Sequence, residues 1–492
     1  MSQDKQSPKL LSAPDQSRRR FLRESAAGLG AAALTASMAE RLWAQPEPLA
    51  AGAVRGSAAA DLSPHFVPRV RRVIHINLPG GPSQLELFDY KPMLEKLHGQ
   101  RCPASFLKGK TFLAVSPESQ PWVLGPQFRF AQHGQSGAWV SELLPHFSKV
   151  VDDVTFLKAV ATDEFNHGPA ELMMLSGHAR AGRPTLGAWT VFALGTENQN
   201  LPGYVVLTSG SPDGVLSKDA YGAGFLPSAN QGVRLRSSGD PVLHLSNPQG
   251  ITASDRERSV AAINRINAMG HQDVGDPEIL GRIAQYHLAN RMQVAVPDAV
   301  DIWREPQHVH ALYGTTAKEA SFANNCLLAR RLIERGVRYV QLNDNAGWDH
   351  HGKIRSGLKR LCPKIDQPMA ALVFDLKQRG LLDDTLVIWA GEFGRTPVSE
   401  GGNFDLEAVG RDHHSYANTI WMAGGGLKPG MSYGETDELG FDPVSGGVHV
   451  HDVHATALRL LGFDHERLTF LFQGRNYRLT DVAGEAIKAI LA

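Results

Sequence analysis

The chain carries only three cysteines in 492 residues: Cys102, Cys326 and Cys362. An odd number with no Cys-x-x-Cys spacing excludes a disulfide framework and a zinc-thiolate site. Buried free thiols are the expectation, with room for one bridge at most. An excess of charge is also missing, because Lys plus Arg and Asp plus Glu number 50 each. No net field therefore favours nucleic acid or an anionic membrane as a partner. Past residue 44 no run is long and apolar enough for a permanent membrane span. There is no Walker A loop, no G-x-G-x-x-G turn and no H-E-x-x-H pair, which argues against nucleotide and protease chemistry of those types.

What is present begins with Ser17-Arg18-Arg19-Arg20-Phe21-Leu22-Arg23, directly before the Ala, Gly and Leu run from Ala26 to Met38. That run is too short and too small-residued to anchor permanently, and the arginine pair matches a receptor-read twin-arginine address. Residues 1–44 are thus expected to be a twin-arginine signal segment, with cleavage near Ala36 or Ala44. The twin-arginine translocase is the expected partner during export, and the destination is periplasmic or extracellular. Residues 45–68, rich in Ala, Pro, Gly and Ser, read as a flexible linker, and 69–492 as one α/β domain.

Within that domain, Val73 to Leu78 reads as a buried strand ending at Pro79-Gly80-Gly81-Pro82-Ser83. Val154 to Leu157, Tyr204 to Leu207, Val337 to Leu342, Thr385 to Ala390 and Asn418 to Met422 read as further strands. A helical insertion is expected around 250–335, its clearest helix running from Ala317 to Arg335. Helical spacing recurs from Ile365 to Leu376, and His454 to Leu461 fits another helix. Strands alternating with helices predict an α/β fold, a mostly parallel sheet with helices on both faces.

Ligands of open α/β sheets bind outside the strands' carboxyl ends, and polar clusters gather there. One cluster follows the first strand around Ser83; others are Asp349-His350-His351, Glu392-Phe393-Gly394-Arg395 and Arg411-Asp412-His413-His414. Carboxylate with imidazole suits a borderline divalent cation such as Zn²⁺, Mn²⁺ or Fe²⁺. Asp349 and His351, two apart, can face one point from an extended loop, with Asp412 and His413 joining if the loops adjoin. Capping aspartates and surface histidines are the alternative. Glu392 is a ligand, a general base or the partner of Arg395. Arg395 and Arg411 are candidates for gripping an oxyanion. Gly80-Gly81 could form an anion nest; Ser83 beside it is a loop cap more readily than a nucleophile. His167, at a helix start capped by Asn166, is either an anion site or part of the cap. His449 and His451 alternate as if on one strand face, while His454 reads as structural.

Taken together, GGPSQLELFD (80–89), NHGPAELMMLSG (166–177), GWDHHGK (347–353), TLVIWAGEFGRTP (385–397), GRDHHSYANTIWMAGGG (410–426), HDVHATALRLLG (451–462) and FQGRNYRLTDV (472–482) resemble the family called domain of unknown function 1501. That family is assigned to the alkaline phosphatase and sulfatase superfamily, so the resemblance implies that fold and hydrolysis of sulfate or phosphate esters, small or on a polysaccharide. It implies a divalent metal, Zn, Mn or Ca, on Asp349, His351, Asp412 and His413. Ser83, Glu392, Arg395 and His167 are the candidate catalytic residues. The departures are Glu392-Phe393, where relatives carry an Asp-His metal pair, and Asn77, where the first strand usually ends in a metal-binding Asp. A C-x-P-x-R maturation motif is absent, which argues against a formylglycine nucleophile. A metal-dependent ester hydrolase and a non-catalytic binding or scaffold protein on the same fold are the two readings.

Overall fold

The computed structural model describes residues 62–492, apart from 211–216, 237–241, 243–246, 317–319 and 401–403. The leader expectation lies outside the described residues. Eleven strands build the parts that matter here: β1 (Arg72–Asn77), β2 (Val154–Ala161), β3 (Tyr204–Gly210), β4 (Val233–Leu235), β5 (Tyr339–Asn345), β6 (Thr385–Ala390), β7 (Gly394–Ser399), β8 (Arg411–His414), β9 (Asn418–Ala423), β10 (Ser432–Tyr433) and β11 (Val448–His449). Nine of them form one sheet in the order β10-β2-β9-β6-β1-β5-β3-β4, with β11 also pairing with β2. Only β9 runs antiparallel to its neighbours. The central strands have short apolar stretches buried on both sides; all six residues of β6 are buried, as a central parallel strand requires.

Helices cover both faces: α1 (His167–Ser176), α2 (Leu186–Leu194), α3 (Ala253–Val274), α4 (Pro277–Val300), α5 (Phe322–Glu334), α6 (Ile354–Gln378) and α7 (Val450–Leu460). One core packs Ile74, Ile76, Val340, Leu342 and Trp389 against α4, α5 and α6. The other packs Val73, Val206, Tyr339 and Ile388 against α1, α2 and α7. The mixed α/β architecture with helices on both faces is the expected one. All three cysteines are free and buried, and no helix among the described residues is long and apolar enough to cross a membrane.

Several local expectations are corrected. The helix expected from Ile365 begins eleven residues earlier, at Ile354, and runs through Pro363 and Pro368. Its apolar stripe, Leu358, Leu361, Ile365, Met369, Leu372 and Leu376, is wholly buried and outweighs two missing N–H donors. The segments 394–399 and 411–414, read as loops, pair as an antiparallel ribbon, β7 with β8. Strand β11 stops at His449, so His449 and His451 share no strand face. His449 caps α7 by accepting from His451 N–H, and the Asp452 carboxylate accepts from His449 N–H. His454 is structural, its Nε2–H donating to Met174 O at 2.7 Å. The end of the connector is fastened, with His65 and Phe66 N–H donating to Gly462 O at 2.8 and 2.9 Å.

Candidate metal centre

The carboxyl ends of β1, β2, β5 and β6 lie at one edge of the sheet, and the start of antiparallel β9 lies beside them. The loops leaving them carry the candidate residues. His167 opens α1, which follows β2; Asp349 and His351 follow β5; Glu392 follows β6. In the ribbon, His413 pairs directly with Arg395, so these two side chains share a face.

Four side chains converge. Asp349 Oδ2 lies 3.1 Å from His167 Nε2, and its Oδ1 lies 3.0 Å from His351 Nε2 and 3.3 Å from His413 Nε2. The Nε2 atoms of His351 and His413 are 3.0 Å apart. Two imidazole lone pairs at that distance need a proton or a cation between them. The opposite nitrogen of each ring is engaged: His167 Nδ1–H donates to Glu392 Oε1 at 2.6 Å, His413 Nδ1–H to Phe165 O at 2.6 Å, and His351 Nδ1–H to Glu400. Donation through Nδ1 fixes the tautomer that leaves Nε2 free for a metal, the arrangement found behind metal-ligating histidines.

The electrostatics agree. Burial opposes it, but hydrogen bonds from His167, His351 and His413 and the Arg395 charge hold the Asp349 carboxyl well below the usual range. Burial would lower His167, yet its bonds to Asp349 and Glu392 raise it to about 9. Bonds to Asp349 and Glu400 raise His351 to about 9 against burial. His413, mainly through burial, is lowered. The cluster therefore draws protons to where a divalent cation would put its charge. Asp349 has a side chain 39% exposed and His413 one only 2% exposed, so the cluster has a rigid floor and an open side.

The structure rearranges the expected ligand set. His167 enters it, although the sequence offered it as an anion site, a helix cap or a catalytic residue and not as a ligand. Asp412 falls instead with His351 and Glu400 in a second group. Its Oδ2 accepts from Ala114 and Val115 N–H at 2.7 and 2.9 Å, and its Oδ1 accepts from His413 N–H. Those bonds tie down the 114–115 segment.

Of the three readings of Glu392, an ion pair with Arg395 is not among the pairs of the described residues, where Glu392 meets His167 and Arg395 meets Asp349. The Gly80-Gly81 nest does form, at φ of +116° and +56°, but it holds the protein's own carboxylate: Gly80 N–H donates to Glu392 Oε1 at 2.8 Å and Gly81 N–H to Oε2 at 3.1 Å. With His167 as its third partner, Glu392 has both oxygens engaged and holds that ring in place. Arg395 is buried and directs its fork at Gly80 O, Gly81 O, Arg411 O and Asp349, and so positions Asp349. Arg411 likewise pairs with Glu86 inside the protein at 2.6 Å. Ser83 occupies a cap position but makes no side-chain cap, and its buried Oγ has no partner. Glu400 was missed because an isolated Glu outside any motif carries no spacing signal.

Fold and cluster together define an α/β protein with a three-histidine, one-aspartate centre at the carboxyl edge of its sheet. The chain belongs to the family described as protein of unknown function (DUF1501), whose model matches residues 70–491. No curated protein matches the sequence. Among solved structures, the chain is similar to Ps i-CgsB in complex with k-i-k-neocarrahexaose, at 11% identity over 81% of this chain and 74% of that one, with a TM-score of 0.36. It is similar to the lipoteichoic acid synthase LtaP from Listeria monocytogenes, at 8% identity, 84% and 77% coverage and a TM-score of 0.34. Alkaline phosphatase from the Antarctic bacterium TAB5 follows at 11% identity, 80% and 99% coverage and a TM-score of 0.33.

Proposed function

We propose that this protein is an exported, metal-dependent hydrolase of sulfate or phosphate esters with one divalent cation at His167, Asp349, His351 and His413. The observation that carries the reading is the convergence of three Nε2 atoms on Asp349, each ring held from behind through Nδ1. Three imidazoles with one carboxylate suit Zn²⁺, Mn²⁺ or Fe²⁺ better than Ca²⁺, which prefers an all-oxygen shell. A cation there supplies Lewis acidity, polarising an ester oxygen and acidifying a water. The residues around it orient: Glu392 and Glu400 hold the rings, and Arg395 holds Asp349. The ester class follows from the resemblance of the GWDHH and GRDHH loops, and export from the Arg18-Arg19 leader.

Elemental analysis of purified protein, joined to a screen of aryl sulfates and phosphates, tests the reading. About one metal per chain is expected, with His413→Ala and Asp349→Ala losing both metal and turnover. A parent that takes up no Zn²⁺ or Mn²⁺ would leave the binding-protein reading. Export has its own test: Arg18→Lys with Arg19→Lys should strand precursor in the cytoplasm, because the receptor reads guanidinium and not charge alone.

A further inference from the structure

Glu171 lies one helical turn after His167 on α1, on the same side of the helix, and is 3% exposed. It is no part of the donor cluster. Asn77 Nδ2 donates to Glu171 Oε1 at 3.1 Å and to Asn343 Oδ1 at 3.2 Å; Gln341 Nε2 donates to the same Asn343 oxygen at 3.0 Å. Tyr204 OH donates to Gln341 in turn. The register places Asn77 beside Asn343, Asn343 beside Thr208, and Asn345 beside Gly210. One face of three neighbouring parallel strands is thus polar beneath α1, inside an otherwise apolar layer.

Besides His75 Nε2 deeper in the layer, four buried atoms towards the carboxyl ends of this face have no protein partner: Asn77 Oδ1, Asn343 Nδ2, Thr208 Oγ1 and Asn345 Oδ1. Asn77 and Asn343 are wholly buried. Buried polar groups are almost always satisfied, and a cluster of orphans marks a missing partner. The partner's chemistry follows from the set. A cation would be repelled by the Asn343 amide hydrogens, and an anion by the Asn77 and Asn345 oxygens. Water both donates and accepts, and it serves all four.

We propose that this strand face is a hydrated chamber in which a file of bound water molecules connects Glu171, behind the metal cluster, to solvent at the ends of β3 and β5. Half-buried Thr208 and Asn345 and exposed Gly210 form the outer end. At the inner end stand Glu171, His167 on its own helix and Glu392 from the loop after β6, with Tyr204, Tyr339 and His75 on the strand face below. Burial first, then the Glu392 charge, pushes Glu171 up to about 8, so it holds a proton at neutral pH. The file gives that proton a route that the packed helix denies it.

The chamber does not rest on the hydrolase reading, and of its tests only the metal-content arm draws on the proposed metal centre. In a crystal structure of the exported protein, water oxygens are expected within hydrogen-bonding distance of Asn77 Oδ1 and Asn343 Nδ2. A dry face on which the amides have turned to pair with each other overturns the chamber. In infrared spectra at neutral pH, Glu171→Gln should remove one carboxylic-acid band that shifts promptly in D₂O, and Thr208→Val should slow that shift. The absence of such a band, or a band that stays put in D₂O, overturns the link to Glu171. Metal content should be the same in Glu171→Gln as in the parent; a loss would make Glu171 part of the metal shell and overturn its place behind the cluster.

Discussion

Arg395 shows how much of the centre depends on a side chain outside the four donors, bonded to one of them. Its donors hold the carbonyls of Gly80, Gly81 and Arg411 together with the carboxylate of Asp349, linking two loops and strand β8, which lie far apart in sequence. A lysine keeps the charge but loses the planar fork. Arg395→Lys should therefore weaken Zn²⁺ binding by about 10- to 100-fold, the usual effect of removing a group that orients a metal ligand. Titration against a competing chelator measures this, and unchanged affinity would return Arg395 to a purely structural role. Asp412→Asn should do the reverse. Its carboxylate accepts from three backbone N–H groups, and weakening those charge-assisted bonds costs about 3 kcal/mol, while metal stoichiometry stays at the parent value. Loss of metal in Asp412→Asn, with the melting temperature unmoved, would bring Asp412 back as a ligand.

The loops depend on backbone that only glycine supplies. Gly80 sits at φ +116°, and a Cβ there would lie 2.7 Å from Asp349 N. Gly80→Ala should thus displace the Asp349 backbone or open the nest around Glu392, costing about 1–3 kcal/mol of stability and loosening the metal in the same variant. Chemical denaturation and metal titration read the two effects, and a variant of parental stability would show that the loop has slack. This dependence was legible in the sequence, since a Gly-Gly corner after an apolar strand announces a backbone nest, but its occupant was not. The strands β1, β5, β6 and β9 were legible through their short apolar runs. The ribbon β7–β8 was not, because Gly-Arg-Thr-Pro-Val-Ser and Arg-Asp-His-His are buried by hydrogen bonding and so lack alternation. His167 was visible as a helix start, yet its role depends on Asp349 and Glu392, which lie 182 and 225 residues on. Contacts of that range leave no local periodicity.

Across the whole molecule, the burial that positions the sheet also makes the fold sensitive to acid well above the ordinary carboxylate range. His75 lies in β1 beneath α1 and α7, its Nδ1 bonded to Tyr339 OH at 2.8 Å; burial lowers it to about 4. His454, in α7 against the same layer, is lowered by burial to about 3. Both are neutral in the fold and take up a proton near 6.5 once unfolded. Between those limits the unfolded chain binds more protons than the native one, so stability rises with pH. The contribution is complete above about 6.5 and drains away as pH falls towards 4 for His75 and towards 3 for His454, on the order of 3 and 5 kcal/mol respectively. In unfolding free energy measured by denaturant between pH 7.5 and about 4.5, this pair should contribute a slope approaching two protons, with buried His414 adding in the same sense and protonated Glu171 opposing. His75→Phe removes one of the two titrations. Its curve lies lower at pH 7, because Tyr339 OH loses its partner, but its slope should be shallower by about 1.4 kcal/mol per pH unit. Parallel curves for parent and variant would mean that His75 is already protonated in the fold, and the packing of β1 against α1 and α7 would then have to admit a charge.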